Sequence, residues 1–205
     1  MKLFRVFFLL FIFFSTEAIS QVADSIKISL QERPSPTWGL STKYTFIDGL
    51  KKPVLSAKVG VDFNGTVRMG GGFSYLQEPY YIDKSIRNDV VSAAMNFRYL
   101  NYYLEYVYYK TRHWEFSVPL QVGIGFSRLN YCYNNANIRD EKKLVLLYEP
   151  VVSGHYKIFP WFGFGADIGY RFMWVNDNSL DHNFNSPIYA FKTILFWDVL
   201  YKKYF

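Results

Sequence analysis

Apolar and polar residues alternate with a period of two along most of this chain, the spacing that sends successive side chains to opposite faces of a strand. Between Phe162 and Trp174 the even positions are Phe162, Phe164, Ala166, Ile168, Tyr170, Phe172 and Trp174, and the odd ones are Gly163, Gly165, Asp167, Gly169, Arg171 and Met173. One face is greasy; the other is small or charged. The segment from Trp114 to Phe126 repeats the contrast, with Glu115, Ser117, Gln121, Gly123 and Gly125 on its polar parity. Pro119 shares that parity and cannot donate to a ladder, so it predicts a local irregularity or bulge. Trp38 to Phe46, Leu55 to Phe63 and Val67 to Tyr75 obey the same rule. Tyr148 to Ile158 and Tyr189 to Phe205 follow it less strictly, with Glu149, Ser153, His155 and Lys157 on the polar side of the first, and Lys192 and Asp198 on that of the second.

The connections alternate in length. Asn64-Gly65, Thr111-Arg112 and Phe159-Pro160 are short, and Asn-Gly suits the positive φ of a two-residue hairpin turn. The longer connections cover 78–88, 129–142 and 175–187, with a brief one at 48–52. If 89–110 is one long strand, eight strands result: 36–47, 54–63, 66–77, 89–110, 113–128, 144–157, 161–174 and 188–205. Arg98 disturbs that long strand, because it shares the outward parity of Leu104 and Tyr106. Either a bulge shifts the register or this half projects beyond the apolar surroundings. A turn near Leu100-Asn101, with 24–31 as an extra first strand, would give ten strands instead.

A soluble barrel points its apolar residues at a cavity and its polar residues at water. The sizes here favour the inverse. Gly and Ser suit a crowded interior, whereas the Phe, Trp and Tyr residues would overfill an eight-stranded lumen. Aromatic residues make up 21% of the chain, and a lipid-facing wall has room for them. The expected fold is therefore all-β: a closed antiparallel transmembrane β-barrel of eight strands, with ten as the alternative. Closure is required because lipid cannot satisfy the amides and carbonyls of an open edge.

Lys2 and Arg5 precede an apolar run, Val6 to Phe14, and then a smaller stretch ending at Ser20. This reads as an export signal over 1–20, cleaved near Ser20/Gln21. Nine apolar residues fall short of the roughly 20 needed for a membrane-spanning helix. Residues 21–35 then form a periplasmic N-terminal segment, and 36–205 the barrel. Removing 1–20 takes away two positive charges and one negative, so the formal net charge falls from +6 to +5. No basic run exceeds two residues, and nucleic-acid binding gains no support. Cys132 is the only cysteine, which excludes an intrachain disulfide, and it reads as a surface thiol.

The stretches Arg98 to Lys110, Trp114 to Gln121, Ser153 to Lys157 and Asn183 to Tyr189 resemble small outer-membrane barrels of Bacteroidota. The resemblance implies residence in the cell outer membrane and delivery by the barrel-assembly machinery, for which an aromatic C-terminus such as Phe205 is typical. That group supplies no accepted catalytic residues.

The inward charges are expected to be Lys43, Lys58, Asp62, Arg68, Glu105, Glu115, Glu149, Lys157, Asp167, Arg171, Lys192 and Asp198. Both signs occur in similar numbers, and an unpaired charge in so narrow a space is costly. A paired, hydrogen-bonded plug is therefore expected. Ser153 and His155 share a face, as a nucleophile and base would, but i, i+2 positions on a strand lie about 7 Å apart at Cα, too far for easy contact. His155 is expected to be satisfied within the lumen, and no catalytic, cofactor-binding or metal-ligating residue is assigned. The expected role is structural, in envelope integrity. Loop-mediated binding or adhesion through 129–142 and 175–187, a narrow pore, and a lipid-modifying enzyme are the alternatives. Outer-membrane lipids are the expected partners.

Overall fold

The structure is a computed structural model describing residues 20–47, 50–86, 89–134, 136–175 and 185–195. Apart from Ser20, the expected export signal lies outside these residues, as do Asp198, the end of the last expected strand and most of 175–187. Residues 20–30 form a helix, α1. Eight long strands follow in a ring: β1 (Pro34–Ile47), β2 (Leu50–Phe63), β3 (Val67–Leu76), β5 (Asp89–Lys110), β6 (Trp114–Tyr133), β8 (Lys143–Phe159), β9 (Phe162–Val175) and β10 (Ser186–Leu195). Two short strands, β4 (Tyr80–Ile86) and β7 (Ala136–Arg139), pair only with the far ends of β5 and β6.

Every neighbouring pair is antiparallel, and β1 pairs β10 from Trp38↔Leu195 to Thr45↔Ile188. The barrel is closed. The ten-strand alternative fails on two counts. Residues 24–31 belong mostly to α1, and β5 passes through Leu100 and Asn101 without turning. Asn64 and Gly65 take the positive φ values their hairpin requires, 53° and 67°. Opposite Pro119 and Pro150 the β6–β8 ladder lapses between Ser117 and Leu120, yet its register is the same on both sides of the gap.

The outer wall is apolar. Leu100, Tyr102 and Leu104 on β5, Leu120, Val122, Ile124 and Phe126 on β6, and Phe164, Ile168 and Phe172 on β9 are all exposed, Ile168 to 73%. Water would penalise such a surface; hydrocarbon does not. Rings crowd the short-turn end, where Trp114 meets Tyr156 edge-on at 4.9 Å and Phe159 stacks on Trp161 at 5.7 Å. From Trp114 to Phe126 the wall is apolar for twelve steps of about 3.3 Å, or roughly 30 Å after a tilt of about 40°. No helix among the described residues is long and apolar enough to cross a membrane; the crossing is made by strands.

Above this band the pattern inverts without a change of register. On β5 the inward residues Ala93, Met95 and Phe97 are buried and apolar, while Asn96 and Arg98 face out. Arg98 therefore marks the point where β5 leaves the lipid, and no bulge is needed there. The bulge in β5 lies elsewhere, between Val107 and Tyr109. Val54, Leu76, Tyr80, Ile82, Leu129 and Leu147 join the inward residues of β5 in an apolar cluster that closes the long-loop end. The expected loops at 78–88 and 129–142 are in part ordered strand: β4 covers β5 here, and β6 continues to Tyr133 before β7 returns. Lys84 on β4 donates to Asp140; burial alone would pull its pKa down, but this hydrogen bond and charge hold it above the ordinary lysine value. The opposite end carries α1, where the Ser29 hydroxyl donates to the Phe63 carbonyl at 2.5 Å.

Arginine in place of Ile168, midway along β9, should destabilise the barrel in vesicles by about 2–4 kcal/mol. Urea unfolding of the reconstituted protein, followed by tryptophan fluorescence, measures this; an unchanged midpoint would place Ile168 in water.

Candidate functional site

Among the described residues, the lumen gathers most of the buried titratable side chains. Strand parity alone sends Lys43, Lys58, Asp62, Arg68, Glu105, Glu115, Glu149, Lys157, Asp167, Arg171 and Lys192 inward. All of these are buried or half-buried. Glycines make the room. Gly60 and Gly70 face each other across β2 and β3, and a Cβ on Gly60 would lie 2.5 Å from the Tyr103 hydroxyl. A Cβ on Gly125 would lie 2.5 Å from the Tyr99 Cβ. The inward rings of β5 are thus seated against bare backbone on either side.

Two charge clusters stack along the axis. In the one nearer the apolar seal, Glu149 accepts from Lys43 Nζ at 2.6 Å, from Arg171 Nε at 2.6 Å and from Gln121 Nε2 at 2.8 Å. Arg171 also reaches the Tyr99 hydroxyl at 3.2 Å and stands over the Phe97 ring at 5.6 Å, joining this cluster to the seal. In the other, Arg68 bridges Asp62 at 2.7 Å, Glu115 at 2.5 Å and Glu105 at 3.4 Å. Lys157 lies 2.9 Å from Glu115, and Lys192 lies 2.9 Å from Asp167. Lys58 forms no ion pair among the described residues; its ammonium rests 4.9 Å from the Tyr103 ring. The expected plug is present.

One contact departs from the sequence reading. Ser153 Oγ and His155 Nε2 are 2.9 Å apart despite their i, i+2 spacing. The cause is Gly165, which pairs with His155 across β8 and β9. With no side chain at Gly165, the imidazole tips along the strand into the vacated space; a Cβ there would sit 2.3 Å from His155 Cδ2. His155 Nδ1 lies 3.4 Å from Glu115 Oε1, completing the members of a serine–histidine–carboxylate set. Sequence reasoning could have found this only by fixing the β8–β9 register first.

The setting does not suit nucleophilic chemistry. The Ser153 hydroxyl donates to Asp167 Oδ1 at 2.5 Å, so its proton is directed to that carboxylate rather than to His155. Ser153 and Glu115 are fully buried, and the gap beside His155, Asp167 and Lys58 is about 60 Å³. That holds a few waters, not an acyl chain. The groups bind one another. Among the described residues no three His, Cys, Asp or Glu side chains group as metal ligands, and Cys132 is exposed.

A closed, even-numbered ring with an apolar wall, a polar lumen and short turns at one end is a transmembrane barrel of the outer-membrane type. No family model matches the chain, and no curated protein matches it. Among solved structures it is similar to Ail, the attachment invasion locus protein of Yersinia pestis, with 15% identity over 79% of this chain and 96% of that one and a TM-score of 0.47. Neisserial surface protein A is similar at 12% identity, covering 80% and 100%, with a TM-score of 0.47. A major outer membrane protein from Thermus thermophilus is similar at 13% identity, covering 78% and 99%, with a TM-score of 0.46. These are likenesses of general form and assign no residue a role.

Replacing Glu149 by Ala leaves Lys43 and Arg171 buried without their carboxylate and should cost about 3–5 kcal/mol. Ser153→Ala removes one neutral donor and should cost about 1–2 kcal/mol. Paired unfolding curves in vesicles test the ranking; a larger loss for Ser153→Ala would contradict a plug held by charge.

Proposed function

We propose that this protein is a closed, non-conducting barrel of the cell outer membrane whose role is structural, in envelope integrity. The observation that carries this reading is the filling of the lumen: two charge clusters bridged from strand to strand, capped by an apolar cluster where a pore would need its mouth. Residues 1–20 serve as its export signal, and the short turns face the periplasm. The resemblance of the stretches Arg98 to Lys110, Trp114 to Gln121, Ser153 to Lys157 and Asn183 to Tyr189 to barrels of Bacteroidota supports placing the chain in that group.

An enzymatic role is the reading to test against, because Ser153, His155 and Glu115 are in contact. In the proposed role, Ser153 matters only for packing.

A deletion strain should become more sensitive to detergents and large antibiotics, and Ser153→Ala should restore it as fully as the wild-type chain does. Failure of Ser153→Ala to complement, at equal barrel abundance, would favour catalysis. Purified protein in planar bilayers should give no stepwise currents; regular steps would establish a pore instead.

A further inference from the structure

Among the described residues, every cation inside the barrel but Lys58 has a carboxylate partner; on one stretch of its outer face, four cations have none. On β5 the outward series Leu104, Tyr102, Leu100 gives way to Arg98, and on β6 the series Val122, Ile124, Phe126 gives way to Arg128. Before β8, Lys142 precedes the outward Leu144 in the same manner. Register aligns these changes: Arg98 pairs with Phe126, Phe126 with Leu144, and Asn130 with Arg139 of β7. The switch from hydrocarbon-facing to cationic thus falls within one same-face step on three neighbouring strands.

Arg98, Arg128, Arg139 and Lys142 line one groove of about 430 Å³, whose floor includes Phe73, Tyr75 and Phe126. None of the four makes an ion pair among the described residues. Arg128 Nε and Asn130 Oδ1 are buried and lack hydrogen-bond partners. Of the nearby acids, Asp140 is engaged by Lys84, and Glu141 is exposed beside Lys142 in the chain. The Lys142 ammonium stands 5.9 Å over the Phe126 ring, at the seam between charge and apolar wall.

We propose that this groove binds a phosphorylated glycolipid of the outer leaflet. Its phosphate is held by the Arg98, Arg128, Arg139 and Lys142 cluster, and its acyl chains run down the wall over Phe126, Ile124 and Leu100. Guanidinium forks match the paired oxygens of a phosphate, and Arg98, Arg128 and Arg139 bring three of them to the groove. The apolar floor selects a lipid over a free anion, since the groove opens directly onto the hydrocarbon-facing band. This inference rests on the outer-membrane reading above.

The test is native mass spectrometry of the detergent-purified barrel mixed with diphosphoryl lipid A or with its dephosphorylated form. Folding is checked separately by the shift between heated and unheated gel mobility. The wild-type protein should retain the phosphorylated lipid at least tenfold over the dephosphorylated one. The triple variant Arg98→Ala, Arg128→Ala, Lys142→Ala should lose that preference, Arg128→Gln should weaken it severalfold, and Lys51→Ala, elsewhere on the rim, should leave it unchanged. Equal retention of both lipids, or equal retention by wild type and triple variant, overturns the proposal while leaving the barrel intact. Release by an equimolar amount of inorganic phosphate, or a dimer lost on substitution in place of a lipid adduct, overturns it in favour of a free anion or a second copy. A wild-type chain with no heat-dependent shift would remove the membrane barrel itself, and this site with it.

Discussion

A charge inside a narrow ring surrounded by hydrocarbon has few places to find its counter-charge, and in this barrel it finds it largely across the lumen. Lys43 of β1 and Arg171 of β9 meet on Glu149 of β8. Arg68 of β3 gathers Asp62, Glu105 and Glu115 from β2, β5 and β6, and Lys192 of β10 takes Asp167 of β9. All eight strands of the ring are thereby tied by ion pairs, in addition to their ladders. Buried pairs of this kind add little net stability over a well-packed apolar core, but removing one member is expensive. Their effect is specificity: a strand slipped by one residue would turn its inward charges toward lipid.

Glycine and charge are two sides of the same constraint. Space for Tyr99, Tyr103 and His155 exists only because Gly125, Gly60 and Gly165 withhold a side chain opposite them. The interior is therefore packed by complementarity between strands, large against absent.

Much of this is legible in the chain because lipid enforces a simple rule. The alternation bounds strand 89–110 as observed and sets the others within a few residues of their described ends, apart from the longer reaches of β2 and β6 and the end of the last strand, which lies outside the described residues. Parity sends the charges inward correctly as far as the structure describes them. What escapes it is governed by the surroundings changing partway along a strand. Above Arg98 the outside is aqueous and the inside apolar, so the alternation persists with its sense reversed, and a rule tuned to lipid reads it as noise or as loop. That is why β4, β7 and the end of β6 are not anticipated. The Ser153–His155 contact escapes for a different reason: it depends on Gly165, ten residues from His155 in sequence and brought opposite only by the β8–β9 register.

The same residue types therefore play opposite parts according to the side of the wall on which parity leaves them. Arg68 and Arg171 are enclosed, each against carboxylates, and act as internal cross-links. Arg98 and Arg128 sit where the apolar wall ends, without carboxylates among the described residues, and one buried guanidinium nitrogen has no partner from the chain itself. A fold that pairs nearly every enclosed cation, yet gathers four outside around one groove, distributes its charge in two ways. The first arrangement ties the strands together across the lumen; the second leaves a cationic groove at the edge of the apolar wall.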